Sequence, residues 1–397
     1  TVKYSSAGVP LWTNRYRGPG VGAALAPTVV VDGSNSVIVA GTGATPSVYF
    51  NYATVKYSSE GLPLWTNLYH GPGEVDDEAS AVAVDSSNNV VVTGYSWDWT
   101  TPDYATIKYS SAGAGLWTNR YNGPGNGDDY ATALAVDGSN NVIVTGYSRD
   151  NVSGYDYATI KYSSAGVPLW TNRYNTPGNG DDYATALALD GSNNVIVAGY
   201  STNNVNGYDY FTIKYSSTGL PLWTNHYAGP GGSSGKTCVL AVDSGGNLIL
   251  TAHAVGSRTN ADYLTIKYSS QGEPLWTNYY NGPGNSYDRA CAVAVDSGGQ
   301  VIVTGYSIGA ASGFDFATVK YICVPSPMLT ALQLTNGTFQ MRVDDVLQPG
   351  TLVIEACTNL AGWEAIFTNT TPTNVLFYAD PDAGSLPARF YRAFQFP

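Results

Sequence analysis

Short apolar segments separated by turn residues recur along most of the chain. In one copy these segments are ATALAVD (131–137), VIVTGYS (142–148), DYATIKYS (156–163) and PLWTNRY (168–174), and Gly, Ser, Asn, Asp or Pro residues lie between them. Such segments predict β-strands joined by turns, and no stretch of the chain has the 3.6-residue apolar period of a long helix. Each copy therefore predicts four antiparallel strands.

The interval between copies is nearly constant. The Lys-Tyr pair of the third segment begins, at spacings of 52 or 53 residues, at Lys3, Lys56, Lys108, Lys161, Lys214, Lys267 and Lys320. Four strands in a unit of this size are typical of a β-propeller blade. Small residues in the first strand suit the centre of a ring, and the Trp and Tyr of later strands suit the wider outer gaps.

Counting the segments predicts an all-β, six-bladed β-propeller over residues 1–323, with seven blades as the alternative. Six first strands end in Asp, and there are six Trp-Thr-Asn segments. The sequence begins near a third strand and finishes with first, second and third strands at 291–321. We expect residues 9–16 to pair with the last sheet and close the ring. One third strand is then surplus, and it either frays or adds to the sheet edge of another molecule.

The segment from Ala133 to Gly146, with the pattern AxAVDxxxNVxVTG, and the YATIKY that follows resemble the bacterial β-propeller repeat family labelled SBBP. The resemblance extends more distantly to NHL-type propellers. It covers residues 1 to 322 and implies a propeller fold. The family name implies seven blades, whereas the segments counted here give six.

The repeat stops at VPSP (324–327), which we interpret as a linker. Residues 328–397 contain short alternating segments broken by Asn, Pro and Gly, which predict a small β-sandwich-like domain. The TNLxxW and RFYRA features of this part resemble C-terminal modules of secreted proteins from Verrucomicrobia-type bacteria.

Charge narrows the choice of partners. The formal net charge is −12 and the pI is about 4.5, so nucleic acid and anionic membranes are disfavoured. No run of eighteen apolar residues predicts a membrane-spanning helix. Thr1 falls inside a repeat, from which we infer an upstream segment and predict a secreted or cell-surface protein.

Four cysteines leave the disulfide pattern open. Cys238 and Cys291 lie at the same phase of neighbouring copies and are either bridged or buried thiols. Cys323 and Cys357 are candidates for a bridge between the propeller and the C-terminal domain.

The most repeated polar residues are interpreted as structural. We expect each Lys of the Lys-Tyr pair to meet a carboxylate of its own or the next blade, and each Trp indole to find an acceptor between blades. The Asp that ends each first strand suits an Asx turn at the reversal. Calcium binding there is the alternative, although few further carboxylates lie at ligand spacing.

A candidate ligand face comes from a second acidic pattern. Asp76-Asp77, Asp128-Asp129 and Asp181-Asp182 precede first strands, and Asp288 is a partial copy. In a propeller these linkers share a face with the variable loops between second and third strands, where Trp97 and Trp99 lie. The carboxylates and the two indoles are therefore candidates for ligand binding, against the alternative that they cap backbone groups or pack within loops.

No catalytic motif accompanies this face. His70, His226 and His253 share no pattern, and no nucleophile-base, zinc or phosphate-binding spacing is present. We predict a non-enzymatic binding or assembly module for a glycan or protein ligand. The alternatives are a filament subunit joined by strand exchange and a carbohydrate-active enzyme using the Asp pairs. No cofactor is expected apart from the calcium alternative.

Overall fold

The computed structural model describes most of the chain as β-strands and turns. The described residues are 1–20, 24–44, 49–73, 75–203, 207–228, 238–255, 260–310, 313–321, 328–335, 338–344, 351–358, 363–370, 376–383 and 389–396. Within them no helix is long and apolar enough to cross a membrane. Contacts divide the chain into two compact units, Thr1–Lys320 and Tyr321–Pro397.

Five complete four-stranded antiparallel sheets form the centre of the first unit, with strands in sequence order from one edge of each sheet to the other. The first sheet consists of β3 (Ala24–Val31), β4 (Val37–Ala44), β5 (Phe50–Tyr57) and β6 (Pro63–Tyr69). The second consists of β7 (Asp77–Val84), β8 (Val90–Trp97), β9 (Pro102–Tyr109) and β10 (Gly115–Tyr121). The third consists of β11 (Asp129–Val136), β12 (Val142–Arg149), β13 (Tyr155–Tyr162) and β14 (Pro168–Tyr174). The fourth and fifth sheets consist of β15 (Asp182–Leu189), β16 (Val195–Asn203), β17 (Gly207–Tyr215) and β18 (Pro221–Tyr227); and β19 (Cys238–Val242), β20 (Leu248–Val255), β21 (Ala261–Tyr268) and β22 (Pro274–Tyr280).

Successive sheets pack face to face, as propeller blades do. Ile38, Ala40 and Tyr52 of the first sheet share a buried core with Val90 and Val92 of the second. Equivalent cores join the second sheet to the third, the third to the fourth, and the fourth to the fifth. The predicted β-propeller class is confirmed.

Partial sheets stand at both ends of the first unit. Before the complete sheets, β1 (Val2–Tyr4) pairs with β2 (Pro10–Thr13). After them comes a three-stranded sheet of β23 (Asp288–Val295), β24 (Val301–Ile308) and β25 (Phe314–Tyr321).

The predicted closure of the ring is wrong in this structure. We expected residues 9–16 to pair with β25, but β2 pairs with β1, and β25 lies at the edge of a sheet that does not include β2. The physical reason is local. β1 and β2 are joined by a short turn, whereas β2 and β25 are separated by about 300 residues, and loop-closure entropy favours the near partner when two partners are alike.

The repeated lysines hold each sheet together and tie it to the next, as the sequence predicted. In the third sheet the Lys161 ammonium lies 2.8 Å from the Asp137 carboxylate and donates at 3.0 Å to the carbonyl of Ser217 in the fourth sheet. Lys56, Lys108, Lys214 and Lys267 form the same ion pair at 2.7 to 2.8 Å, and these side chains are almost fully buried. One side chain thus satisfies partners in two blades.

The Asp that ends each first strand also forms the predicted Asx turn. Asp137 Oδ1 accepts the N–H groups of Ser139 and Asn141, both at 2.9 Å, while its Oδ2 faces Lys161. Both carboxylate oxygens are therefore already used within the protein. Among the described residues no cluster of three His, Cys, Asp or Glu side chains could hold a metal ion.

The Trp-Thr-Asn segments complete the contacts between blades. The indole N–H of Trp117 donates to the carbonyl of Ser164 at 3.1 Å, and the Asn119 amide donates to the carbonyl of Gly166 at 2.7 Å. Gly166 has φ of +84°, and a Cβ there would lie 2.8 Å from the Trp117 ring, so glycine fits both the backbone and the contact.

The second unit contains two three-stranded antiparallel sheets. One sheet consists of β26 (Met328–Thr335), β27 (Thr338–Asp344) and β30 (Leu376–Asp380), and the other of β28 (Thr351–Cys357), β29 (Glu364–Asn369) and β31 (Phe390–Phe396). Met341 and Val343 share a buried core with Leu352 and Ile354 from the other sheet. This is the β-sandwich-like arrangement expected from the sequence; the predicted linker 324–327 lies outside the described residues.

The cysteines do not follow the bridging alternative. Cys238 is a buried thiol in contact with Thr185 Oγ1 at 3.1 Å, and Cys291 is an exposed thiol. The Cys238–Cys291 bridge is therefore not formed, and the buried-thiol alternative is correct for Cys238 and wrong for Cys291. Cys357 is a buried free thiol, and Cys323 lies outside the described residues.

We predict that Lys161→Met lowers the free energy of unfolding by about 3 kcal/mol, because it leaves a buried carboxylate without its cation. Lys320→Met is the matched control, since Lys320 pairs with Asp296 at 3.0 Å but its side chain is 50% exposed. We expect the control to lose less than about 1 kcal/mol. Urea unfolding of both variants at low protein concentration measures the difference, and equal losses would contradict the role given to burial.

Candidate functional site

The linkers that precede first strands and the loops that connect second and third strands lie at the same end of the blades. In the third sheet Asp129 pairs with Ser148, and Ser148 pairs with Asp156 on the third strand. The loop and linker also bond directly, through Arg149 N to the Asp128 carbonyl at 3.0 Å. We call this end the loop face; in the second to fourth sheets it comprises residues 75–77, 97–102, 122–129, 149–155 and 175–182.

The second Asp of each pair is not available to a ligand. Asp129 is fully buried, and its Oδ2 accepts the backbone N–H of Gly123 at 2.6 Å. The equivalents Asp77, Asp182 and Asp288 accept the N–H of the residue six positions earlier at 2.7 Å and are equally buried. The prediction that these four carboxylates bind a ligand is therefore corrected, because each fixes the path of its own linker.

Burial raises the pKa of the second Asp in three of these pairs. It raises the pKa of Asp129 to about 6, although hydrogen bonds from Ser148 and from the Gly123 N–H act in the opposite direction. Burial also raises the pKa of Asp77 and of Asp182. These groups contribute to the dependence of stability on pH.

The first Asp of each pair lies nearer to solvent. Asp76 is exposed, and Asp128 and Asp181 are half-buried. Asp128 Oδ2 accepts the hydroxyl of Tyr155 at 3.2 Å, and Asp181 Oδ1 accepts the N–H of Tyr155 at 3.1 Å. Asp76 Oδ1 accepts the N–H of Phe50 at 2.9 Å. Each carboxylate keeps some reach to solvent while it is oriented by a neighbouring blade or loop.

A run of tyrosines lies on the strands that adjoin the loop face, and one of its members, Tyr155, belongs to the loop face itself. We call it the tyrosine belt, and its members are Tyr95, Tyr130, Tyr147, Tyr155, Tyr183, Tyr200 and Tyr208. Ring centroids along the belt lie 4.8 to 5.5 Å apart and link the second, third and fourth sheets. All but the more deeply buried Tyr200 are half-buried. The belt is thus a continuous aromatic surface with polar edges.

The belt hydroxyls stay protonated at neutral pH. Burial raises the pKa of Tyr147 to about 12, and burial together with the charge of Asp128 raises the pKa of Tyr155 to about 12. The hydroxyls can therefore donate to carboxylates or to a ligand.

The two tryptophans of the loop face have different environments. Trp97 is half-buried and pairs with Pro102 at the end of β8. Trp99 is 64% exposed and has φ of +86°, which a bulky residue rarely adopts. Its turn is held by Asp98, whose Oδ1 accepts the N–H groups of Thr100 at 2.9 Å and Thr101 at 3.1 Å. The turn therefore presents the Trp99 indole to solvent.

An internal polar network lies beneath the loop face. In the second sheet Arg120 donates to Ser96 Oγ at 2.6 Å and to Asp103 Oδ2 at 2.8 Å. Arg173 bonds Ser148 and Asp156 in the same way in the third sheet. A Cβ on Gly123 would lie 2.1 Å from Ser148 Oγ, so glycine in the linker leaves room for the hydroxyl that Arg173 bonds.

In the fourth sheet both the linker glycine and the arginine are replaced. Thr176 replaces the linker glycine and bonds Ser201 and Asp182, each at 2.6 Å, while the shorter His226 replaces Arg and contacts Asp209 at 2.8 Å. A cavity of about 360 Å³ remains, lined by residues that include Thr176, Asp209 and His226. The difference is a local repacking of the network.

The other histidines do not join these residues. His253 is buried, its Nε2 lies 3.1 Å from the Tyr287 hydroxyl, and burial lowers its pKa to about 4. His70 is exposed. Sequence reasoning missed the tyrosine belt, although Tyr follows Asp128-Asp129, Asp181-Asp182 and the Gly of the second strand in the repeats concerned.

Comparison with known proteins agrees with a β-propeller repeat protein. No family model matches the chain. One curated relative is the "Uncharacterized WD repeat-containing protein L264" of Acanthamoeba polyphaga mimivirus, 24% identical over an alignment of 198 residues that covers 41% of this chain and 14% of that protein. The chain thus matches a small part of that relative's length.

Several solved structures are similar in outline. They include the PL25 ulvan lyase (9% identity, 83% of this chain and 92% of that chain, TM-score 0.47), a protein of unknown function from Dyadobacter fermentans (10%, 75% and 94%, 0.46) and the β-propeller domain of the Trilobed protease from Pyrococcus furiosus (8%, 81% and 89%, 0.44).

We predict that Asp129→Asn changes how the free energy of unfolding depends on pH. The folded pKa of about 6 lies above the ordinary value of 3.8, so the stabilisation linked to this group is fully present below about pH 4 and is lost as the pH rises through 6. The full shift corresponds to about 3 kcal/mol. Asn has no such proton, so the variant should gain about 2 to 3 kcal/mol relative to wild type between pH 4 and pH 7.5.

Urea unfolding of both proteins at the two pH values measures this change. Other titrating groups, such as His253 and Asp137, are common to both proteins and cancel in the comparison. Parallel pH profiles would show that the Asp129 carboxyl titrates normally.

Proposed function

We propose that the protein is an exported, non-enzymatic binding module whose loop face binds a neutral polyhydroxylated ligand, that is, a carbohydrate. The observation that carries this proposal is the tyrosine belt, which lies beside the solvent-accessible carboxylates Asp128 and Asp181. Export rests on the family resemblance of the repeats and of the C-terminal domain.

The chemistry of the belt suits a sugar. Aromatic rings provide flat apolar surface for the C–H face of a pyranose, while hydroxyls and carboxylates at their edges pair with its O–H groups. Tyr155 and Asp128 already bond one another at 3.2 Å, so donor and acceptor are held in place before a ligand arrives. The net charge of −12 favours neutral over acidic ligands.

Trp99 supplies a second aromatic contact on the same face. Its indole is exposed, and the turn that carries it is held by three hydrogen bonds to Asp98 Oδ1, at 2.6 to 3.1 Å. A strained backbone maintained around an exposed aromatic side chain is typical of a ligand contact.

We predict that the protein retards in affinity electrophoresis through at least one of a set of neutral polysaccharides: a β-glucan, a xylan and a mannan. Trp99→Ala should weaken that binding by about tenfold, corresponding to about 1.4 kcal/mol for the loss of one aromatic contact. Asp128→Asn with Asp181→Asn should weaken it as well. Unchanged binding in both variants would contradict the proposed face.

The Asp pairs provide a matched control. Asp129→Asn alters the buried second residue of the Asp128-Asp129 pair. It should leave binding unchanged, since Asp129 accepts the Gly123 N–H inside the linker. Mass analysis of the recovered polysaccharide separates binding from turnover. Shortened chains whose release requires Asp128 and Asp181 would replace the binding module with a carbohydrate-active enzyme. Binding of protein ligands alone would exclude the carbohydrate.

A further inference from the structure

The two ends of the propeller unit expose opposite faces of a blade. The incoming face, defined by Val29, Val31, Val37 and Val39 of the first complete sheet, lines a cavity of about 580 Å³ that β1 and β2 border on its other side. Val29 is 61% exposed and Val31 is 52% exposed. Their equivalents in the second sheet, Val82 and Val84, instead pack against a buried core that includes Ile38 and Ala40 of the preceding sheet.

The outgoing face is defined by Ala294, Ile302, Thr304 and Phe316 of the last sheet. Phe316 is 98% exposed. The same position in the five complete sheets is a fully buried tyrosine: Tyr52, Tyr104, Tyr157, Tyr210 and Tyr263. Lys320 is likewise half-exposed, where its equivalents are almost fully buried. The outgoing face is therefore built for a neighbour.

We propose that a second copy of this chain provides that neighbour: the outgoing face of one copy docks on the incoming face of the next, and β25 displaces β1 from β2. The interfaces inside the propeller unit show that the two faces are complementary, because each packs the outgoing face of one sheet against the incoming face of the next sheet. Within one copy β2 pairs with β1, and Phe316 of the outgoing face and Val29 of the incoming face are both exposed. Both faces are therefore accessible to other copies at the same time.

The polar groups of the two ends complement each other. The last sheet has Gly282 in its linker, Ser307 on the second strand and Asp315 on the third, as do the sheets that hold Arg120 and Arg173. Arg15, two residues after the end of β2, lies at the phase of those arginines. The first complete sheet, with Leu68 at that phase, has neither the Ser nor the Asp. Arg15 therefore matches the last sheet of another copy.

β1 is suited to replacement by β25. Val2-Lys3-Tyr4 is identical to Val319-Lys320-Tyr321, but β1 has three residues and β25 has eight. The Lys3 ammonium donates to the Ser59 carbonyl at 2.9 Å, which is the contact that Lys161 makes with Ser217 at an internal interface. In the assembly Lys320 takes over the place of Lys3. Such a head-to-tail contact gives rings or filaments.

Analytical ultracentrifugation and native mass spectrometry test the proposal. Wild type should gain mass with increasing concentration. Phe316→Asp blocks the outgoing face and Val31→Asp blocks the incoming face, so each variant alone should remain a single chain. An equimolar mixture should form a complex of one copy of each and nothing larger, because one intact face of each kind remains. Leu169→Asp, on an exposed position of β14 outside both faces, should assemble like wild type.

Circular dichroism of each variant checks the fold, which should persist because both substituted side chains are exposed in one copy. Hydrogen exchange reports the strand exchange: β25 amides should gain protection on assembly and β1 amides should lose it. A single-chain mass at every concentration would overturn the proposal, and protection of β25 in that single chain would assign β25 to closure within one copy. Assembly with β1 still protected would overturn the strand displacement.

Discussion

The propeller unit depends on a repeated, buried lysine whose ammonium group contacts two neighbouring blades. Lys161 neutralises Asp137 in its own sheet and donates to the Ser217 carbonyl in the next, and four other lysines pair with their own Asp in the same buried way. A buried charge is tolerated only when its partners are in place. A blade is therefore complete only beside its neighbour, so stability is shared between adjacent repeats.

The same constraint determines which polar side chains are left near solvent. The inner Asp of each pair, the arginines and the Asp of each Asx turn bond within the framework. Asp128 and Asp181 lie on the loop face beside the tyrosine belt, where both accept hydrogen bonds from Tyr155 and remain near solvent. A scaffold whose repeated polar groups are used internally can vary its loops without losing its core.

Much of this architecture could be predicted from the sequence, because it depends on periodicity. The four strands, the Lys ion pair and the indole acceptor all follow from a residue recurring at one phase. The difference between Asp128 and Asp129 could not be read this way, since one step along the strand decides which carboxylate is buried. The belt was missed because Tyr is abundant at several phases, and only the fold shows which rings meet.

The partner of β2 was predicted wrongly for a related reason. β1 and the end of β25 have the same sequence, Val-Lys-Tyr, so composition cannot decide between them, and the turn from β1 to β2 favours the local strand. Arrays of repeats ordinarily end in units with a polar outer surface. Here the ends expose Phe316, Val29 and Val31. In the proposed assembly these matching apolar surfaces are buried against each other, and a second copy continues the array with a blade of the same kind.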